Sequence, residues 1–243
     1  MGIYNSSETR VKPLGNAILN DHNLVDKILS IIMPNEPVSF GSFDNNKDVF
    51  FTGHNKEKSL SPTQEHLLAI IDKIITDESF REHVKKKDKS SSTNKLLRGK
   101  LFELDPETLG KAKCHFETWN KFERPSYPDL FVENENNILI IEGKRTEKDI
   151  TKKTTYLEHR SQMIRHIENA LCYCHGKKRV IAFYIIEENC GYENHCTKRY
   201  FKESFAEETI KKDTKLRNEI CNCFYGYTTW QEIAKVLNIE YPM

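Results

Sequence analysis

The sequence predicts an α/β domain: a sheet of about four strands flanked by helices, in the order α-β-β-β-α-β, with extra helices at both ends. Three observations predict it. Two apolar runs of strand length, Tyr127–Val132 and Ile138–Lys144, are joined by the polar break Glu133-Asn134-Glu135-Asn136-Asn137. A helical pattern follows them, with Tyr156, His159, Met163, Ile167, Ala170 and Leu171 recurring on one face. Then comes Arg179–Ile186, an apolar run that reads as a buried strand.

Taken in order, residues 1–60 mix short apolar runs with Asn, Gly, Pro and Ser and read as an N-terminal accessory region. Leu24, Ile28, Ile31 and Ile32 suggest one helix there, and Val49-Phe50-Phe51 a short strand. Residues 61–243 form the main domain, with its core at about 93–188 and C-terminal helices over 199–237. Ser61-Pro62-Thr63-Gln64 predicts a helix start, Ser61 as N-cap and Pro62 at the first helical position. Leu67, Leu68, Ile71, Ile74 and Ile75 give that helix an apolar face. A charged helical piece follows over Phe80–Lys87, then a serine-rich loop over 88–94. Leu96, Leu97, Leu101 and Phe102 mark another amphipathic helix, ended by Asp105-Pro106. Cys114, Phe116 and Thr118 alternate with His115 and Glu117 as a strand. The helix from Tyr156 closes at Gly176, and residues 199–224 and 228–237 look helical.

The two central runs carry the chemistry. If the polar break is a hairpin loop centred on Glu135 and Asn136, antiparallel pairing sets Asp129 opposite Glu142. Lys144, two residues on, rises on the same face. Like charges directly opposite destabilise a sheet unless something offsets them, and a divalent cation with oxygen ligands would. The plainer alternative makes Asp129 a turn residue after Pro128, with Glu142 and Lys144 solvated at a strand end. The hairpin symmetry and the Ile138–Ile141 run leading into Glu142 weigh against it.

At these residues the chain resembles the PD-(D/E)XK nuclease superfamily, the fold of many restriction endonucleases, repair nucleases and junction resolvases. Pro128-Asp129 is similar to its PD element and Glu142-Gly143-Lys144 to its (D/E)XK element. The order of elements also resembles the core of that superfamily. The resemblance implies a restriction-endonuclease-like core with a mixed sheet, and a Mg²⁺-dependent nuclease in which Mn²⁺ substitutes. Its substrate is then nucleic acid, DNA before RNA, in restriction, defence or repair. Asp129 and Glu142 are the implied metal ligands, and Lys144 positions the attacking water. It implies a further acid in the metal shell, for which Glu103 is the candidate ahead of Glu65 and Glu117. It also implies a polar residue on the helix after the third strand that reaches the scissile phosphate. Gln162 fits, with His166 one turn on; Arg160 and Arg165 are the rivals. A catalytically inactive nucleic-acid-binding module on the same fold is the alternative, and a homodimer is common among restriction-type members.

Lys and Arg number 37 against 36 Asp and Glu, so net charge gives no general polyanion affinity and local patches must supply it. Arg145, Lys148, Lys152 and Lys153 follow the acid pair directly and, with His166, are the candidate contacts to the nucleic-acid backbone. The seven cysteines are an odd count, which argues against a complete disulfide framework. Cys190, His195, Cys196, Cys221 and Cys223 do not follow the spacing of a standard zinc module. No apolar run has the length of a membrane span and no signal peptide is evident, so the expected location is cytoplasmic.

Overall fold

The computed structural model of the protein describes residues 6–37, 39–88, 103, 107 and 122–241. Its centre is a five-stranded mixed sheet in the order β1-β2-β3-β4-β5, formed by Val49–Phe51, Leu130–Glu133, Asn137–Gly143, Arg179–Ile186 and Phe224–Thr229. The β1/β2 and β2/β3 pairs are antiparallel, whereas β3, β4 and β5 run parallel. Helices α1 (Lys12–Asn20), α2 (Asn23–Ile32) and the short α3 (Asn45–Asp48) precede or flank β1. Between β1 and β2 lie α4 (Gln64–Thr76) and α5 (Glu78–Asp88), and α6 (Gln162–Tyr173) connects β3 to β4. Helices α7 (Lys198–Ala206) and α8 (Thr214–Cys223) lead to β5, and α9 (Trp230–Leu237) closes the described chain.

Both faces of the sheet are covered, which is why β2, β3 and β4 read as continuous apolar runs instead of alternating ones. Leu130, Val132, Leu139, Ile141, Ile181, Phe183 and Ile185 pack with residues of α1, α2 and α9, such as Leu14, Ile18, Ile28 and Trp230. On the opposite face Phe131, Ile140, Ala182 and Tyr184 pack with Met163 and Ile167 of α6, Phe201 and Phe205 of α7, and Ile220 of α8. A third cluster joins α4 and α5 to Phe122, Tyr156, Leu157 and Ile210.

Several elements differ from their sequence expectation. Helix α4 starts two residues later than expected, because Thr63 is extended and its hydroxyl accepts from the His66 N–H at 3.0 Å; Thr63, not Ser61, is the N-cap. The helix expected from Tyr156 begins only at Gln162, where the Ser161 hydroxyl accepts from Ile164 N–H at 3.2 Å. His159, with φ of 57°, lies in a left-handed turn that no helix could include. Residues 224–229 form a strand between α8 and α9, its residues alternating buried and half-buried. The first sixty residues, set apart above as an accessory region, supply β1 and most of the cover of one sheet face. The expected helix around Leu96–Phe102 and the strand around Cys114–Thr118 fall outside the described residues; on the edge away from β3, β2 pairs with β1.

Among the described residues no helix is long and apolar enough to cross a membrane.

Candidate active site

The hairpin places the acids. Leu130 pairs with Ile141 and Glu133 with Ile138, so continuing the register by one residue sets Asp129 opposite Glu142. The loop is the two-residue one of the symmetric alignment, closed by Asn134 N–H donating to Asn137 O at 2.9 Å. Glu135 and Asn136 are not among the residues with positive φ, so this is not the twisted turn that favours Asn-Gly. The Asn134 carboxamide takes over that job. Its Oδ1 accepts from the N–H groups of Asn136 at 3.0 Å and Asn137 at 2.7 Å.

Three contacts hold the far end of β3. The Lys144 N–H donates to Ile185 O at 2.8 Å, extending the parallel ladder with β4. The Lys144 carbonyl accepts from Trp230 Nε1 at 2.9 Å. The Gly143 N–H donates to Asp129 Oδ2 at 2.9 Å and ties the first acid to the second strand. Gly143 is required by contact: a Cβ there would stand 2.7 Å from the Trp230 ring and 2.8 Å from a Val11 methyl.

Glu142 is 1% exposed, and both of its oxygens are engaged. Oε1 accepts from Lys144 Nζ at 2.7 Å, and Oε2 lies 3.1 Å from His166 Nε2. A carboxylate can only accept, so Nε2 carries the proton, and His166 Nδ1 is buried without a partner among the described residues. Gln162 Oε1 lies 3.4 Å from Lys144 Nζ, which brings α6 onto the same site.

The charges follow from this arrangement. Burial, reinforced by the Glu142 charge, lifts the Asp129 carboxyl well above its ordinary pKa. Burial also pushes Glu142 upward, but the Lys144 ammonium and the His166 hydrogen bond overcome it and leave Glu142 below the usual carboxylate range. Lys144 loses solvation by burial, yet Glu142 and then Asp129 raise its pKa on balance. His166 is lowered by burial against the pull of Glu142. One acid is therefore ionised and paired, while its neighbour resists ionising.

Asp129, Glu142, Lys144 and Gln162 thus come together, and other expectations do not. His166 is fully buried beneath Glu142, so it holds that carboxylate and offers no surface to a nucleic-acid backbone. Arg145 is also largely used inside the protein, donating to Thr9 Oγ1 at 2.8 Å with Glu187 3.6 Å away. Lys148 and Lys153 are exposed, and Lys152 pairs with Asp149. Glu103 is exposed in a turn. The acid whose charge reaches Asp129 is instead Glu57, which accepts from Thr52 Oγ1 at 2.7 Å. Thr52 follows Phe51, the partner of Leu130, so the register sets it beside Asp129. Arg160, a rival of Gln162 in the sequence, is fully buried among Glu123, Glu168 and Glu208.

No family model, curated protein or solved structure matches the chain.

The donor chemistry can be tested directly. Asp129 and Glu142 offer hard oxygens and are too few to enclose an ion; among the described residues no group of three or more His, Cys, Asp or Glu is gathered for a metal. That suits Mg²⁺, which binds through one or two carboxylates and keeps several waters or phosphate oxygens. It does not suit a closed structural zinc site. Cys190, Cys196, Cys221 and Cys223 are free thiols.

Proposed function

We propose that the protein is a Mg²⁺-dependent nuclease that hydrolyses phosphodiester bonds, in DNA before RNA, with a restriction-endonuclease-like core. What supports this most is the Asp129 and Glu142 pair facing each other across β2 and β3 with the Lys144 ammonium on the same face. Burying two acids side by side costs stability, and Asp129 carries that cost in its raised pKa. A sheet end that retains such a pair is suited to holding a cation.

Asp129 and Glu142 would hold the ion, and His166 would keep the Glu142 carboxylate in one orientation. When bound, Mg²⁺ supplies a nucleophile from water at neutral pH and polarises the phosphoryl oxygen. Lys144 keeps its proton, so it serves as a cation and hydrogen-bond donor toward the phosphate or the attacking water, not as a base. Gln162, beside Lys144 Nζ, is placed to share that contact. In the reaction a water oxygen bonds to phosphorus as the bond to the leaving sugar oxygen breaks, the attacking water giving up a proton to solvent and the sugar oxygen taking one from solvent. Lys144 stabilises the charge that develops between them.

Incubating the protein with DNA and Mg²⁺, then repeating with Asp129→Ala and Lys144→Ala, tests this. Cleavage by the wild type that both variants and EDTA abolish is expected. Equal cleavage by all three proteins would refute it.

A further inference from the structure

A second group of side chains lies beside the acid pair and has no part in the chemistry above. The chain leaving Lys144 is tethered to the start of α6, where the Gln162 N–H donates to Thr151 O at 3.1 Å. That bond sets the backbone just before Lys152 beside Gln162, the residue that also reaches Lys144. Asp149 lies 2.5 Å from Lys152 Nζ through Oδ2 and 2.8 Å from His195 Nδ1 through Oδ1. The His195 ring sits 4.7 Å from that of Tyr200, and Lys152 Nζ is 5.5 Å from the same tyrosine ring. Aromatic faces and a cation are thus assembled on one patch, and the His195 side chain is 35% exposed.

On the other flank stands Tyr127, two residues before Asp129. It is 47% exposed, whereas most of the large hydrophobic residues described are buried or half-buried. A tyrosine ring left in water beside the acid pair gains from anything that covers it. Arg124, exposed, is three residues away. The order across the sheet is then Tyr127 and Asp129 just before β2, Glu142 on β3, and the elements that carry His195 and Tyr200 against β5. Aromatic rings on two sides of a centre that would carry a divalent cation are what single-stranded nucleic acid uses, since every base has a face to stack and every phosphate a charge to pair. A duplex keeps its bases stacked on one another and has no use for such rings.

We propose that the substrate strand is unpaired where it crosses the acid pair, with bases stacking on Tyr127 at one side and on the His195 and Tyr200 rings at the other. Lys152, beside the Tyr200 ring, exchanges its Asp149 partner for a phosphate on that second side. This rests on the nuclease assignment above and adds the substrate class.

The test uses the full chain and fluorescent oligonucleotides of one sequence, single-stranded or duplex. Binding is read by anisotropy in Ca²⁺ to prevent turnover, and cleavage is read in Mg²⁺. The single strand is expected to bind more tightly and to be cut faster. Tyr127→Ala and Tyr200→Ala should each weaken single-strand binding roughly ten-fold, and Tyr127→Phe, which keeps the ring, should restore it. Lys152→Ala should lower the salt dependence of binding by about one phosphate contact, a change that loss of packing alone would not cause. Duplex bound and cut as well as single strand overturns the proposal, as does a single-strand preference that survives both alanine variants. In either case cleavage that disappears in Asp129→Asn leaves the nuclease assignment standing. A wild type that neither binds nor cuts either oligonucleotide removes both.

Discussion

Lys144 Nζ lies 2.7 Å from Glu142 Oε1, an ion pair whose two residues are both buried at the end of the sheet. The ammonium thereby neutralises one acid of the facing pair and only partly offsets the other. Among the described residues Asp129 accepts from one backbone N–H, in a half-buried site beside a charged neighbour, and its carboxyl is held well above the ordinary value. The acid pair is in this sense a stored electrostatic cost, which a bound cation would relieve.

Asp129→Asn should therefore stabilise the fold while abolishing cleavage. A carboxyl whose folded pKa is raised contributes stability that is fully present below its unfolded pKa and lost as pH rises through the folded one. Asparagine copies the neutral form, can still accept from Gly143, and keeps that stability at neutral pH. Thermal melts should show a higher Tm for the variant without metal. Added Mg²⁺ should raise the wild-type Tm, because a ligand of the folded state stabilises it by mass action, and should move the variant little. The same Mg²⁺ shift in both proteins would mean that Asp129 is not a ligand.

His166→Ala tests the orientation of the second acid. The ring donates to Glu142 Oε2 at 3.1 Å from a fully buried position, so it touches neither solvent nor substrate. Loss of such an outer partner typically lowers metal affinity or activity about 10- to 100-fold. The expected signature is a higher Mg²⁺ concentration for half-maximal cleavage, with partial recovery in His166→Gln, whose amide can still donate. A variant with an unchanged Mg²⁺ titration would assign His166 to packing alone.

Gly143→Ala should disrupt the site without changing any group that does chemistry. The added methyl would stand 2.7 Å from the Trp230 ring and 2.8 Å from Val11, and the ring is itself pinned by its bond to the Lys144 carbonyl. Overpacking of this kind costs about 1–3 kcal/mol, and the displaced backbone carries Glu142 and Lys144 with it. Chemical denaturation and a cleavage assay should both register the change; wild-type values in both would show that the brace yields easily.

How much of this was legible in the sequence depends on how far apart the partners are. Asp129 and Glu142 could be paired by counting, because the side-chain period of a strand is two and the loop between them is short enough to be symmetric. Gln162 could be placed by its kind and by the helix it begins. His166 shares that helix, and nothing in a single helical stripe says that its inner edge lies beneath a strand-borne acid. Trp230 bonds Lys144 across 86 positions of sequence, and no local pattern announces such a brace. Residues 224–229 did alternate in a readable way, Phe-Tyr-Gly-Tyr-Thr-Thr, but they run without a break from helix α8 into helix α9, and the strand was absorbed into its flanks. Arg160, two residues before Gln162, reads from the sequence as a rival substrate contact. Its partners Glu123, Glu168 and Glu208 are scattered along the chain and meet only in the folded core.

That core cluster gives a pH dependence of its own. Arg160 forms a two-pronged bond with Glu123, at 2.9 and 2.7 Å, and also reaches Glu168 and Glu208, while Lys212 lies 2.7 Å from Glu168. Burial opposes ionisation of Glu168, but Arg160 and Lys212 prevail and hold its pKa at about 2. Glu208 is less well served. Burial raises it to about 7 despite Arg160 and Lys212, and its second oxygen is buried without a partner among the described residues. A raised carboxyl stabilises the fold below its ordinary value of 4.5, and that contribution is lost progressively as pH climbs to about 7. At about 1.4 kcal/mol per pH unit the loss amounts to roughly 3 kcal/mol. Glu208→Gln cannot ionise, so it should escape that loss and gain on the wild type between about pH 5 and about pH 8. Urea denaturation of both proteins across this range measures the difference directly, since other titrating groups contribute equally to each. Curves that run parallel would show that Glu208 is ionised throughout and that Arg160 balances all three acids.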